Sequence, residues 1–290
     1  MKFLQFIPND STTGQIRVGY LKGDNVVDIC CQDCSMPTTM IEILEAEIVD
    51  RIQTLHCNDT SEGVPLSSVK LVAPIDNMDK ILGVALNYSD HCKEINVDHP
   101  PIPMIFSKFS STIIGPNDPL RIRTEVCKKV DWEVELAVVI GKVASSVTAA
   151  DADKYIFGYT IAQDISDREW QKEKNGAQFL LGKSQDTFCP IGPYIVTKDE
   201  IEDPYNLNLT CSINGVEKQN SNTSNIIHKI PAIIERISSV MTLLPGDLIL
   251  TGTPGGTGGI RSPPEFLQPG DVIRNEIQNI GFFETKVEKF

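Results

Sequence analysis

The chain has 290 residues, 39 acidic against 26 basic, and a formal net charge of −13. With no basic cluster beyond Lys128-Lys129, that surplus makes nucleic acid and anionic membrane poor partners. Eight cysteines scattered over so long a chain do not form the framework of a small secreted domain, so reduced thiols in a soluble, intracellular protein are expected.

No apolar run approaches the roughly 18 residues of a membrane helix, and Met1 to Phe6 reads as a strand rather than a signal peptide. A cytoplasmic location is expected, with the mitochondrial matrix open should a presequence be missing. Cys31-x-x-Cys34 and His56-Cys57 lack the second ligand pair that a zinc site needs.

In chain order, Lys2 to Ile7, Ile16 to Leu21 and Val26 to Ile29 are β-prone, and Ile41, Leu44, Ile48 and Ile52 predict one helix over 38–55. Gly63 to Ser68 resembles a linker. A small N-terminal α+β domain over 1–70 and a larger body over 71–290 follow, the whole being α+β but mostly β.

After the apolar strand Lys80 to Leu86, a helix starting at Ser89 or Asp90 places His91 and Glu94 at i, i+3. The carboxylate then holds the imidazole as a general base for water, or the pair is an incidental salt bridge at a surface helix end. In Asp131-Trp132-Glu133-Val134-Glu135-Leu136, alternation puts Glu133 and Glu135 on one face at the mouth of a strand, Ala137 to Ile140, that is apolar on both faces. Convergent carboxylates suit Mg²⁺, Mn²⁺ or Ca²⁺ rather than zinc. The alternative is an ordinary amphipathic strand with its acids in water.

Asp164 ends the next apolar strand, Ile156 to Ala162, where a third carboxylate ligand would sit. Ser166 or Asp167 caps a helix over 167–176 that carries Arg168 and Gln171 on one face. Lys183, in an apolar, glycine-flanked setting, is either exposed or buried against an anion. Asn-Gly and Pro-Gly-Asp turns dominate the remainder, with a helix over 231–241 whose Ile233, Ile234, Ile237, Val240 and Met241 form a core stripe. The loop Thr251 to Gly259 has neither Walker A nor dinucleotide spacing; its amides and the Thr253 hydroxyl approach a ligand anion, or it is a flexible turn.

Five ordered motifs resemble the fumarylacetoacetate hydrolase family across residues 75–290. They are Gly-x-x-x-Asn-Tyr-x-x-His-x-x-Glu (83–94), Trp-Glu-x-Glu-Leu-Ala-x-x-Ile-Gly (132–141), Gln-Asp-x-Ser-x-Arg-x-x-Gln (163–171), Gly-Lys-Ser (182–184) and Pro-Gly-Asp-x-Ile-x-Thr-Gly-Thr-Pro (245–254). The resemblance implies a mixed β-roll-like catalytic fold, a homodimer, and Mg²⁺ or Mn²⁺ held by Glu133, Glu135 and Asp164. It implies a catalytic His91–Glu94 dyad on a mobile lid, with Arg168, Gln171, Lys183 and Thr253 gripping the substrate's oxygens and Lys108 a further candidate. Gln163 and Asp167 depart from the family's more usual residues. The implied substrate is a small 2-oxo acid or β-dicarbonyl, and the implied reaction is carbon–carbon hydrolysis of an acylpyruvate. Oxaloacetate keto–enol tautomerisation or decarboxylation are its rivals, and a metal-binding scaffold without turnover is the reading of a different class.

Overall fold

The structure, a computed structural model, describes residues 1–58 and 61–290. Three short antiparallel strands open the chain: β1 (Lys2–Pro8), β2 (Arg17–Lys22) and β3 (Asn25–Asp28). The single helix expected over 38–55 is two, α1 (Met40–Glu45) and α2 (Val49–Asn58). Thr39 and Glu42 close a reciprocal capping box at the start of α1, and Glu47, at φ 53°, turns the backbone left-handed between the two helices.

β4 (Ile81–Ala85) leads into α3 (Ser89–Glu94), whose bounds match the expected start, and then into β5 (Met104–Lys108). The short β6 (Val130–Asp131) precedes β7 (Val134–Ile140), β8 (Ile156–Gln163) and the short β9 (Ser166–Asp167). Next come the helical segments α4 (Arg168–Lys172) and α5 (Leu180–Lys183), followed by β10 (Cys189–Thr197). The hairpin β11 (Asn208–Ile213) and β12 (Val216–Asn222) turns at Asn214-Gly215, both at positive φ as a type I′ turn requires. The chain closes with α6 (Ile230–Ser238), β13 (Leu248–Leu250), β14 (Val272–Ile277) and β15 (Gly281–Lys289).

A twelve-stranded sheet runs Val64–Pro65, β3, β2, β1, β10, β8, β7, β13, β4, β5, with two further short strands off this path. It is mixed, since β13 and β4 pair in parallel while most neighbours are antiparallel. A five-stranded sheet of β12, β11, β14, β15 and Leu120–Ile122 stands beside it. The protein is thus mostly β with mixed sheets, and the described strands do not close into a barrel.

β7 explains why the sheet is sandwiched. Val134, Leu136, Val138 and Ile140 join a cluster with Leu209, Ile233, Ile237 and Ile273, while Ala137 and Val139 join one with Phe3, Ile43, Leu44 and Ile52. Each fully buried large aliphatic side chain is worth roughly 1.5–3 kcal/mol. A one-residue slip of β7 would exchange its two faces, so its register is firmly set, and with it the place of the acids at its mouth. β1 pairs with β10, with Lys2 opposite Val196 and Phe3 opposite Ile195, and Phe3 packs on Phe157 at 5.5 Å. Residues on either side of position 70 therefore share one sheet and one apolar cluster. At α6 the core stripe stops at Ile237; the helix ends at Ser238, leaving Val240 80% exposed and Met241 outside.

Candidate active site

Glu133, Glu135 and Asp164 are buried, and a ligand oxygen from each lies within 4.8 Å of the others. The β7–β8 ladder makes this happen: beyond its last strand pair, Val134 opposite Gln163, the Asp164 N–H donates to the Glu133 carbonyl at 2.9 Å. Gln163, the departure noted in the sequence, accepts from the Glu133 N–H at 2.7 Å and donates to Asn275 at 2.7 Å, a structural role behind the acids. Gly252, at φ 106°, turns its N–H onto Glu135 at 2.6 Å.

Cations from two helical segments reach the same acids. Lys183 spans Glu133 at 2.6 Å and Asp164 at 2.5 Å, and Arg168 pairs with Glu133 at 2.6 Å and Asp131 at 2.8 Å. Gly182 permits this, because a Cβ there would lie 2.6–2.7 Å from the backbone of Gln171; its absence lets α5 dock on α4 and deliver Lys183. Lys108 is buried behind the acids, with its ammonium donating to Asp164 at 2.8 Å, to the Ile165 carbonyl at 3.1 Å and to the Lys183 carbonyl. Its three N–H groups are spent there and it does not line the cavity, whereas the resemblance offered it as a further candidate for gripping the substrate.

Burial alone would raise the Glu133 carboxyl, but Lys183 and Arg168 hold it down to about 2. Glu135 moves the other way. Burial, then the charges of Asp164 and Glu133, push its carboxyl well above the usual range, and no ion pair within the described residues offsets them. Counting Asp131, four carboxyl groups meet three cations, and Glu135 is the one left without a cation. A compact set of hard oxygen donors, one of them with no cation to pair it, fits Mg²⁺ or Mn²⁺.

His91 and Glu94 do share a face of α3. The Nδ1–Oε2 separation is 3.6 Å, close enough for attraction but long for a hydrogen bond, and Nδ1 is buried without a partner. Glu94 instead accepts from the Gly256 N–H at 2.9 Å, tying α3 to the glycine-rich loop. Asp131, which sequence reasoning left among the solvated acids, anchors that loop's other end. It accepts from the N–H groups of Gly258 at 2.6 Å and Gly259 at 2.9 Å, and from Arg168. The available signal was its place two residues before Glu133 on the same face. The Thr253 hydroxyl donates to the Val134 carbonyl at 3.0 Å and accepts from Gln219 at 2.8 Å. Gln171 is buried, and its carbonyl oxygen accepts from Arg168 at 3.0 Å, which leaves its amide N–H groups for the cavity.

These groups surround a cavity of about 360 Å³. Glu133, Glu135, Arg168, Gln171, Lys183, Thr253 and His91 line it, while Val84, Ile95, Phe106, Phe179 and Ile260 make its apolar wall. Asp164 lies behind Lys183 and off the lining.

A mixed, mostly β fold with a buried acidic trio beside a histidine-lined cavity defines an enzyme class. The chain belongs to the fumarylacetoacetate hydrolase family, whose C-terminal domain (fumarylacetoacetate (FAA) hydrolase C-terminal) matches residues 80–288. Oxaloacetate tautomerase fahd2, mitochondrial, of Xenopus laevis is 46% identical over 99% of this chain and 90% of its own length. Among solved structures, the fumarylacetoacetate hydrolase of Exiguobacterium antarcticum superposes with a TM-score of 0.84 at 32% identity, all of both chains being covered. Maleylpyruvate hydrolase of Sphingobium sp. SYK-6, solved with manganese(II) and pyruvate, gives 0.80 at 29% identity, covering 100% of this chain and 99% of that one.

Proposed function

We propose that this enzyme interconverts the keto and enol forms of oxaloacetate with a divalent cation at Glu133, Glu135 and Asp164. The observation that carries the reading is the buried trio, Glu135 within it having no cation, at the edge of a small, histidine-lined cavity. The Xenopus relative's name and its 46% identity support tautomerisation over hydrolysis. When bound, Mg²⁺ or Mn²⁺ supplies Lewis acidity to the oxygens of the 2-oxo acid. Arg168 and the Gln171 amide orient the 2-oxo acid's carboxylate, and Lys183 lies where it counters charge developing on the C2 oxygen. His91, attracted to Glu94, takes a proton from C3; the pair left behind forms the C2–C3 double bond, the carbonyl π pair moves to the C2 oxygen, and that oxygen is protonated in turn, so the only σ bonds broken and made are C–H and O–H. The apolar wall and the Thr253 turn keep bulk water from the enolate.

A second reading, carbon–carbon hydrolysis of an acylpyruvate, is favoured by the similarity to maleylpyruvate hydrolase and by a His–Glu pair able to activate water. Mn²⁺-supplemented assays decide between them. Rapid loss of enol-oxaloacetate without pyruvate, abolished by EDTA, is expected. Faster release of pyruvate from acetylpyruvate establishes the hydrolase instead.

The same reading includes a homodimer in the mitochondrial matrix. Support comes from Met104 on the edge strand β5, with Ile102 beside it, both at least 43% exposed, and from the mitochondrial relative. Light scattering after size exclusion checks the first. No helix of the described residues is long and apolar enough to cross a membrane.

A further inference from the structure

α4 carries more than Arg168 and Gln171 into the cavity. Lys172 also lines it, and positions 168, 171 and 172 stand at i, i+3 and i+4, one face of a helix. Along that face the side chains pass from deep to shallow: Arg168 reaches Glu133, Gln171 is buried, and Lys172 is exposed at the mouth. The rise of about 1.5 Å per residue sets the Lys172 backbone roughly 6 Å outward from that of Arg168.

The three lining cations differ in their partners. Lys183 and Arg168 are ion-paired with Glu133, Asp164 and Asp131. The Lys172 ammonium has no ion pair and no hydrogen bond to a protein group within the described residues. The acids of its own helical turn are engaged elsewhere, Glu169 by Lys174 at 2.8 Å and Glu173 by Lys129 at 3.0 Å. The remaining outer wall is apolar. In a chain of net charge −13, an unneutralised cation at the mouth is the local feature that draws in a doubly charged substrate.

We infer that Lys172 binds the second carboxylate of the substrate and so selects dicarboxylic 2-oxo acids over those with an uncharged tail. This rests on the proposed 2-oxo acid reading and adds a specificity-determining residue to it. Arg168 and Gln171 take the inner carboxylate, and the ammonium of Lys172 takes the outer one as a point charge with rotatable donors.

The test uses two unreactive ligands, malate and 2-hydroxybutyrate, in which a methyl replaces the distal carboxylate. In calorimetric titrations of the Mn²⁺-supplemented protein, malate binds more tightly by about tenfold, the scale of one charge-assisted hydrogen bond. Lys172→Met removes that preference and Lys172→Arg keeps it. A preference unaltered by Lys172→Met, or absent from the unsubstituted protein, overturns the inference, as does an equal loss of affinity for both ligands. Turnover of enol-oxaloacetate by the unsubstituted protein is measured separately. A Lys172-dependent preference without turnover sinks the tautomerase reading and leaves this one standing. Turnover with a Lys172-independent preference does the reverse.

Discussion

At the scale of single residues, Glu135 is where energy is stored. With its carboxyl raised by burial and by two neighbouring acids, the folded metal-free protein binds its proton more tightly than the unfolded chain. Stability is therefore full below the ordinary carboxylate range and falls as pH rises toward the folded value. Glu135→Gln should flatten that decline and raise the melting temperature of the EDTA-treated protein at pH 8 by about 2–4 °C, on the order of 1 kcal/mol. The same variant should lose Mn²⁺ binding by calorimetry. Asp131→Asn should leave Mn²⁺ affinity within a few-fold but lower kcat/KM on the order of 10²-fold, because Arg168 and the Gly258-Gly259 amides lose their anchor. Steady-state kinetics beside a metal titration checks it. Glu133, Glu135, His91 and Glu94 were legible because strand and helix periods are local. Asp131 and Lys108 were not, since nothing local separates a solvated charge from one buried against a partner 37 or 56 residues away.

At the scale of elements, the short α4 and α5 matter more than the long strands. Their contact at Gly182 fixes Lys183, and Gly182→Ala forces a Cβ against backbone rather than a yielding side chain. The expected result is a loss of about 1–3 kcal/mol in urea unfolding together with a larger loss of activity. The sequence signalled α3 through the polar run that follows an apolar strand, and the β11–β12 hairpin through an Asn-Gly turn. It failed at 38–55, where the apolar period continues through a left-handed Glu47, and at α6, where Val240 and Met241 keep the spacing after the helix has ended. Apolar spacing reports which residues could share a face; it does not report where the backbone stops.

At the scale of the whole molecule, thiol chemistry reads out the burial pattern. Cys31, Cys34 and Cys57 are exposed, Cys30 is half-buried, and Cys92, Cys127, Cys189 and Cys211 are buried. Burial raises the Cys127 thiol to about 11 and that of Cys189 to about 12, so at pH 8 neither supplies thiolate. Native protein should titrate promptly with a disulfide reagent at the three exposed sites, and the four buried ones should respond only in denaturant. A chain starting at residue 71 should fail to fold, because β10 loses β1 and one of the two sheet-face clusters loses much of its membership. Circular dichroism and size exclusion of that fragment check it.

The β1–β10 pairing also sets a timetable. The first strand leaves the ribosome early, yet its sheet neighbour around Ile195 and Val196 follows more than 190 residues later. At about 5–20 residues per second, β1 to β3 wait on the order of 10–40 s with an open apolar edge. The topology itself thus imposes an interval, set by the length of chain between the two strands, in which the N-terminal hairpin lacks the neighbour that completes its sheet.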